Sequence, residues 1–224
     1  MSKLAQALAQ AVWARGLTPE EKSRVERETY SRVYPKGGTV FRAGDASEHW
    51  IGVVDGLAKM TIVSAEGQAT SFVAVGTGAW FGEGTVIRRG PRGYDGVVLR
   101  DSELAFMPRA TFMALLERNI TFARFIIDQL NERLRQFVGL AQRDRLLEPN
   151  ARVALSLAAL YNPLLSPGIE SALVISQEEI AELSGLSRQR TNEALKSLET
   201  KGLVRVQRVG LTILDLEGLQ NFKG

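Results

Sequence analysis

The distribution of glycine constrains the fold of this chain more than any other feature of its sequence. Thirteen of the 21 glycines in the 224 residues fall between positions 37 and 96, and short apolar, β-branched runs lie between them. These runs span residues 39–41, 50–54, 58–63, 70–75 and 97–99. Short strands separated by glycine turns are typical of an antiparallel sandwich or jelly roll. A flexible glycine-rich linker is excluded, because such linkers lack apolar runs of this kind.

The pattern changes to a helical one after this region. Residues 109–147 contain a single glycine, Gly139, and seven residues within them follow one another at alternating steps of three and four. These seven residues are Ile120, Ala123, Ile127, Leu130, Leu134, Phe137 and Ala141. Such spacing is a heptad seam, which predicts one long helix that packs along a partner. The partner is either the sheet of its own domain or a second copy of the chain, and the position of the helix between two domains favours a dimer.

The most informative segment lies near the C-terminus, between residues 175 and 195. Ser176 and Glu179 have the spacing of a capping box, which predicts the start of a short helix. Gly185 stands where a tight turn requires a left-handed residue, and Ser187 is placed to cap a second helix. A helix, a glycine turn and a second helix with a polar leading edge form the helix-turn-helix arrangement, in which the second helix enters the major groove of DNA.

The polar residues of this second helix suit contact with DNA. Arginine can bond two guanine acceptors, and glutamine or asparagine can bond adenine, so the predicted base readers are Arg188, Gln189 and Asn192. We expect Arg190 and Lys196 to contact phosphates. Residues 203–214 read as a hairpin wing that carries Arg208 beside the helix. The predicted DNA-binding residues are therefore Ser187, Arg188, Gln189, Arg190, Asn192, Lys196 and Arg208. The alternative is a surface helix pair with solvated charges.

Charge and composition exclude several classes of function. The net charge is +3, but the residues from Pro149 onward carry eight basic and eight acidic side chains, so DNA binding must depend on their arrangement. The chain has no cysteine and one histidine, His49, which excludes disulfides, thiolate catalysis, iron–sulfur clusters and cysteine–histidine metal sites. No catalytic constellation is present, and we predict neither an enzyme nor a bound metal. With no secretory signal and no apolar run of membrane-spanning length, we expect a cytoplasmic protein without membrane contact.

The order of these parts resembles the CRP/FNR superfamily of bacterial transcription regulators from about Tyr34 to Leu214. The matching motifs are residues 35–41 with Gly44 and Asp45, residues 54–56, residues 76–83, and Ile180 with Ala181 through residues 186–188. The resemblance implies a jelly roll that binds a small effector, a dimer that binds palindromic double-stranded DNA, and RNA polymerase as a further partner. It places the polymerase-contacting loop at residues 162–171 by position.

The resemblance also implies a cyclic-nucleotide pocket, and this chain departs from it. Gly82 and Glu83 match the family's ribose-binding pair, and Arg133 matches an arginine of the long helix. The phosphate-binding arginine corresponds to Arg92, but Gly93 follows it where the family has serine or threonine. The adenine-binding Thr-Ser pair is replaced by residues 137–138, the first of which is Phe137. These missing hydroxyl groups argue against cyclic AMP and leave open another nucleotide, such as a cyclic dinucleotide, or no ligand.

The sequence thus predicts an α+β chain with three parts. Residues 1–108 form an antiparallel β jelly roll preceded by helices, residues 109–147 form a long dimerisation helix, and residues 148–224 form a winged helix-turn-helix domain. The predicted function is that of a homodimeric transcription regulator. The alternative is a nucleotide-binding sensor or scaffold that does not act through DNA.

Overall fold

Two four-stranded antiparallel sheets form the N-terminal half of the protein. The computed structural model describes residues 1–63, 69–143, 148–162, 164–167, 172–208 and 210–224. The strands of this half are β1 (Tyr30–Tyr34), β2 (Thr39–Phe41), β3 (His49–Asp55), β4 (Leu57–Val63), β5 (Ala69–Gly76), β6 (Trp80–Phe81), β7 (Asp95–Val98) and β8 (Ser102–Pro108). One sheet has the order β1-β8-β3-β6 and the other β2-β7-β4-β5. The two antiparallel sheets confirm the predicted jelly roll.

Helices cover one side of this jelly roll. They are α1 (Lys3–Gln10), a 3₁₀ turn (Val12–Gly16), α2 (Pro19–Glu28) and, between β6 and β7, the short α3 (Glu83–Arg88). The core has two layers, since one apolar cluster lies between the sheets and a second lies between the β3 sheet and the helices. The second cluster contains all three tryptophans, Trp13, Trp50 and Trp80, in mutual ring contact.

The segment predicted as one long helix forms two. Helix α4 (Arg109–Arg118) and helix α5 (Ile120–Arg143) are separated at Asn119, whose backbone is extended. The Asn119 side chain caps α5, since its Oδ1 accepts a hydrogen bond from the Phe122 amide at 3.0 Å. Its Nδ2 donates to the Gly16 carbonyl at 3.0 Å. The prediction of a single helix was therefore wrong at Asn119, because a distant part of the chain stabilises a cap there. Residues 144–147 lie outside the described part of the chain.

The C-terminal half forms a small domain of helices and a three-stranded sheet. Its elements are α6 (Pro149–Leu160), β9 (Ala172–Leu173), α7 (Gln177–Ser184), α8 (Arg188–Thr200), β10 (Val204–Val206), β11 (Leu211–Ile213) and α9 (Leu216–Gln220). The antiparallel sheet has the order β10-β11-β9, so the predicted hairpin is present. Both hydrogen bonds of the capping box at Ser176 form, and Gly185 is left-handed with φ of 64°. These features confirm the winged helix-turn-helix.

The two halves of the chain contact each other through α6 and α7. Leu57 and Leu99 of the jelly roll belong to the apolar core of the C-terminal domain. Three carboxylates of α7 pair with basic residues of the jelly roll: Glu178 with Lys36, Glu179 with Arg100, and Glu182 with Lys59. In the part of the chain that the structure describes, no helix combines the length and apolar character needed to cross a membrane.

Candidate DNA-binding face and effector pocket

Helix α8 presents a polar face to solvent. Ser187 caps the helix, and its Oγ accepts a hydrogen bond from the Arg190 amide at 3.3 Å. The apolar side of the helix is buried and contains Ala194, Leu195 and Leu198. The side chains of Arg188, Gln189, Arg190 and Lys196 are exposed. Within the described residues, the three basic side chains among them form no ion pair or hydrogen bond, so they are available to a ligand.

The other predicted DNA-binding residues differ in their environment. Asn192 is half-buried, and its Oδ1 is enclosed without a hydrogen-bond partner in the described part of the chain. Gln189 is not free, since its Nε2 donates to Glu193 Oε1 at 3.1 Å. Arg208 is exposed in the wing. Arg208 and Arg188 both line a groove of about 350 Å³ between the wing, the start of α8 and the start of α7.

The three acidic residues of α7 pair with the jelly roll, and one of them, Glu178, also lines the groove between the wing and α8. Glu179 is almost buried and binds Arg100 through two hydrogen bonds of 2.7 and 2.9 Å. Its Oε2 also accepts from the Ser176 amide at 2.6 Å, so one carboxylate serves both the capping box and the contact with the jelly roll. Because the jelly roll neutralises these acids, a domain with no net charge can present basic side chains on its outer face.

The predicted effector pocket contains a buried ion pair. Glu83 is 1% exposed, and Arg133 of α5 donates from Nε to Glu83 Oε1 at 2.7 Å. Arg133 Nη2 also donates to the Trp80 carbonyl at 2.8 Å, and Gln129 donates to the same carbonyl at 2.9 Å. The second carboxylate oxygen, Oε2 of Glu83, is buried and has no hydrogen-bond partner among the described residues. Such an oxygen can accept a hydrogen bond from a ligand.

Arg92 lies in the same pocket, and both of its terminal nitrogens donate a hydrogen bond to a protein oxygen. The side chain is 4% exposed and stacks on the Phe41 ring, 4.6 Å from the ring centre. Nη1 donates to Thr85 Oγ1 at 3.2 Å, and Nη2 donates to the His49 carbonyl at 2.6 Å. Burial lowers the pKa of the Arg92 guanidinium. Gly82 is required beside it, because its φ is 89° and a Cβ there would lie 2.2 Å from Arg92 Nη1.

The structure brings only some of the predicted pocket residues together. Gly82, Glu83, Arg92 and Arg133 converge, whereas Gly93 is exposed and a Cβ there would meet no atom within 4 Å. Phe137 lies on α5 one turn after Arg133 and is 40% exposed, among the seam residues. Sequence reasoning missed Thr85, which supplies the hydroxyl beside Arg92 from another element, and Gln129. No local pattern marks either residue.

Helix α5 has two apolar faces with different environments. Phe122 and Ile126 are buried against the jelly roll, and Gln129 and Arg133 continue that face toward the pocket. Most of the predicted seam lies on the adjacent side, where the large residues Ile120, Ile127, Leu130, Leu134 and Phe137 are exposed. Ala123 is half-buried, and the side chain of Ala141 lies outside the described residues. One face of α5 therefore packs on the jelly roll, as one prediction had it, while the seam is left exposed for the other predicted partner, a second copy of the chain.

Comparisons with known proteins agree with this architecture. Residues 31–119 match the model of the cyclic nucleotide-binding domain, and residues 151–222 match that of the Crp-like helix-turn-helix domain. The cyclic AMP receptor protein of Thermus thermophilus is 30% identical over 191 residues, which cover 85% of this chain and 87% of that relative. A cAMP-activated global transcriptional regulator of Mycobacterium tuberculosis is 24% identical, and the match covers 95% of this chain and 96% of the relative.

A solved structure gives the same result. The catabolite activator protein of Thermus thermophilus superposes with a TM-score of 0.52 at 27% identity, with 93% of this chain and 97% of that chain covered. The cyclic nucleotide-binding fold, the helix-turn-helix domain and the order in which they occur are thus shared along nearly the whole length of the chain. The chain belongs to the CRP/FNR superfamily of transcription regulators.

Proposed function

We propose that this protein is a homodimeric regulator that binds a palindromic DNA site through helix α8. The observation that carries this proposal is the exposed face of α8, on which Arg188, Arg190 and Lys196 have no protein partner in the described residues. The groove beside the wing is lined by Arg188, Arg208 and Glu178. Because Glu178 pairs with Lys36, the two arginines supply net positive charge where a DNA backbone would pass. Two copies related by a two-fold axis would contact half-sites about 10 bp apart.

The DNA-binding proposal is tested by enriching bound duplexes from a random pool and measuring the affinity of the selected site. We expect Arg188→Ala to weaken binding at least about tenfold, because one arginine can make two hydrogen bonds to guanine. Arg118→Ala is the matched control, since this exposed arginine at the end of α4 lies far from α8 in the chain and removes the same charge. Equal affinities of the two variants would contradict reading by α8.

The seam of α5 supports the dimer. Leu134 is 62% exposed and Ile120 is 68% exposed, and a row of large apolar side chains along a helix is stabilised by burial against a second copy. We expect the double variant Leu130→Glu with Leu134→Glu to sediment as a monomer. Val33→Glu is the control, because Val33 is equally apolar and exposed but lies on the edge strand β1. A dimer that persists in the double variant would contradict this interface.

The jelly roll supports a nucleotide effector that is not cyclic AMP. Glu83 Oε2 is a buried acceptor without a partner in the described residues, as a ligand hydroxyl requires. The hydroxyl groups that would bind adenine are absent at Phe137 and Val138, and Arg92 is engaged by Thr85 and His49. The test is calorimetry against a panel of cyclic mononucleotides and cyclic dinucleotides. We expect one of these nucleotides to release heat on binding and cyclic AMP to release none. The nucleotide that binds should bind more weakly to the Glu83→Gln variant. If no nucleotide of the panel gives heat of binding, the proposal of a nucleotide effector is contradicted.

A further inference from the structure

Helix α3 carries in its first turn a glycine that the fold of a single chain does not require. Gly84 is the second residue of α3 and is exposed. Its backbone lies outside the left-handed region. A Cβ added at this position would have Leu130 Cδ2, at 3.9 Å, as its nearest described neighbour outside α3, which is an ordinary van der Waals contact. Because alanine favours a helix more than glycine does, nothing in the described part of the chain selects glycine here.

The glycine leaves the seam of α5 uncovered at the point where α3 meets it. Leu130 is 36% exposed, and its neighbours in the seam, Ile127 and Leu134, are 56% and 62% exposed. A leucine or methionine in place of Gly84 would extend over Leu130 and bury apolar surface within one chain, which would stabilise a monomer. Glycine keeps this surface open, so the contact that it serves lies outside the single chain.

A second copy of the chain fits this open surface. Leu130 occupies a heptad position, and a residue at such a position enters a hole formed by four residues of the facing helix. The axes of two helices packed in this way are about 8–10 Å apart. Position 84 lies within 4 Å of the tip of Leu130, so it is within contact distance of the facing helix. A side chain at this position would occupy space that the partner needs.

We propose that the α5 helix of the partner packs over Gly84, so that the dimer interface extends from the seam of α5 onto α3. This inference rests on the proposed function, since it requires a dimer along α5. Gly84 is the point at which the partner approaches α3 most closely. Because Glu83 is its neighbour in the chain, the extended interface adjoins the predicted effector pocket.

The test measures the dissociation constant of the dimer by sedimentation of fluorescently labelled protein at nanomolar to micromolar concentrations. Gly84→Leu places a side chain where the partner would pack, and overpacking a filled interface is unfavourable, so the dissociation constant should rise at least about tenfold. Gly84→Ala adds one methyl group and should cause a smaller rise. Ala110→Leu is the matched control, because Ala110 is the exposed second residue of α4 and its variant adds the same apolar side chain outside the seam.

A second measurement separates the interface from the fold of the chain. The background is a variant made monomeric by Ile127→Glu with Leu134→Glu, which keeps Leu130. In this background Gly84→Leu should leave the urea midpoint unchanged or raise it, because the leucine covers Leu130 without meeting a partner and favours the helix over glycine. A lower midpoint would show that the fold of the chain itself requires glycine, and it would overturn the inference.

The outcomes also separate this inference from the proposed function. Wild-type protein that sediments as a monomer at every concentration would overturn the proposed homodimer. A wild-type dimer whose dissociation constant changes equally in Gly84→Leu and Ala110→Leu would overturn the extended interface alone. A rise confined to the Gly84 variants, with an unchanged or higher urea midpoint in the monomeric background, supports the packing of the partner over α3.

Discussion

The jelly roll and the helix-turn-helix domain use arginine in different ways. Arg92 and Arg133 are enclosed in the jelly roll, and protein oxygens from Thr85, His49, Glu83 and Trp80 accept their hydrogen bonds. The arginines of α8 are exposed and have no such acceptors within the described residues. A buried guanidinium must be satisfied inside the protein, because leaving it unpaired costs several kcal/mol. Substituting a buried arginine should therefore change stability, and substituting an exposed one should change binding.

The largest expected effect is that of Arg133→Ala. This substitution leaves Glu83 buried without its cation and removes a donor to the Trp80 carbonyl. Breaking a buried ion pair from one side costs about 3 kcal/mol or more in the free energy of unfolding. Urea denaturation at fixed protein concentration measures it, because the concentration of a dimer affects its apparent stability.

The control for this experiment lies two residues further along the same helix. Arg135 is exposed and pairs with the half-buried Glu132, which keeps its hydrogen bond from Asn162, so Arg135→Ala should change the free energy of unfolding by about 1 kcal/mol or less. If the Arg133 and Arg135 variants lose the same stability, the pocket arginine is not held as tightly as its contacts indicate.

Arg100→Ala should have the next largest effect. Arg100 bridges the domains through two charged hydrogen bonds to Glu179, whose side chain is 8% exposed. We expect a loss of about 2 kcal/mol, because hydrogen bonds to charged groups contribute more than neutral ones. In a calorimetric scan the C-terminal domain should then unfold in a separate transition below that of the jelly roll. Lys3→Ala removes an exposed ion pair with Asp55 and should leave a single transition.

Arg208→Ala tests an exposed arginine of the helix-turn-helix domain and should affect DNA binding but not stability. Arg208 lines the groove between the wing and α8, where a phosphate contact carries no sequence information. Binding should weaken equally for specific and random duplexes, by about 1 kcal/mol. The slope of log affinity against log salt should fall by about 1 for each lost contact. A changed unfolding free energy with unchanged salt dependence would place Arg208 with the structural arginines.

The parts of the structure that sequence analysis predicted are those with local signals. Ser176, Glu179 and Gly185 lie within ten residues of one another, and their spacing predicted the cap, the helix and the turn. Strands β1 and β8 were missed because neither lies between the glycine turns that marked the other strands, and β6 was missed because two residues are too few to form a recognisable run. The break at Asn119 depends on Gly16, about a hundred residues away. Long-range contacts of this kind leave no periodic trace in the sequence.

The contacts in the predicted effector pocket are also long-range, so local sequence patterns did not predict them. The phosphate-binding arginine of the family is followed by a residue with a hydroxyl group, and in this chain Gly93 at that position has no hydroxyl group. The hydroxyl beside Arg92 comes instead from Thr85 on α3. The pairing of Glu83 with Arg133 joins residues 50 positions apart, so the sequence indicated both members through the family resemblance but not their contact. The hydrogen bond between Gln189 and Glu193, at helical spacing, could have been anticipated.

The smallest expected effect concerns His49, whose carbonyl accepts a hydrogen bond from Arg92. Burial of the imidazole lowers its pKa, and the positive charges of Arg92 and Arg32 add to this against the opposing effect of Glu48. The folded protein therefore binds the proton less tightly than the unfolded chain. Stability is fully present above the unfolded pKa near 6.5 and declines as the pH falls below it. Urea midpoints at pH 7.5 and 5.5 should differ less in His49→Gln than in the wild type. Identical pH dependence in the two proteins would show that folding does not lower the pKa of His49.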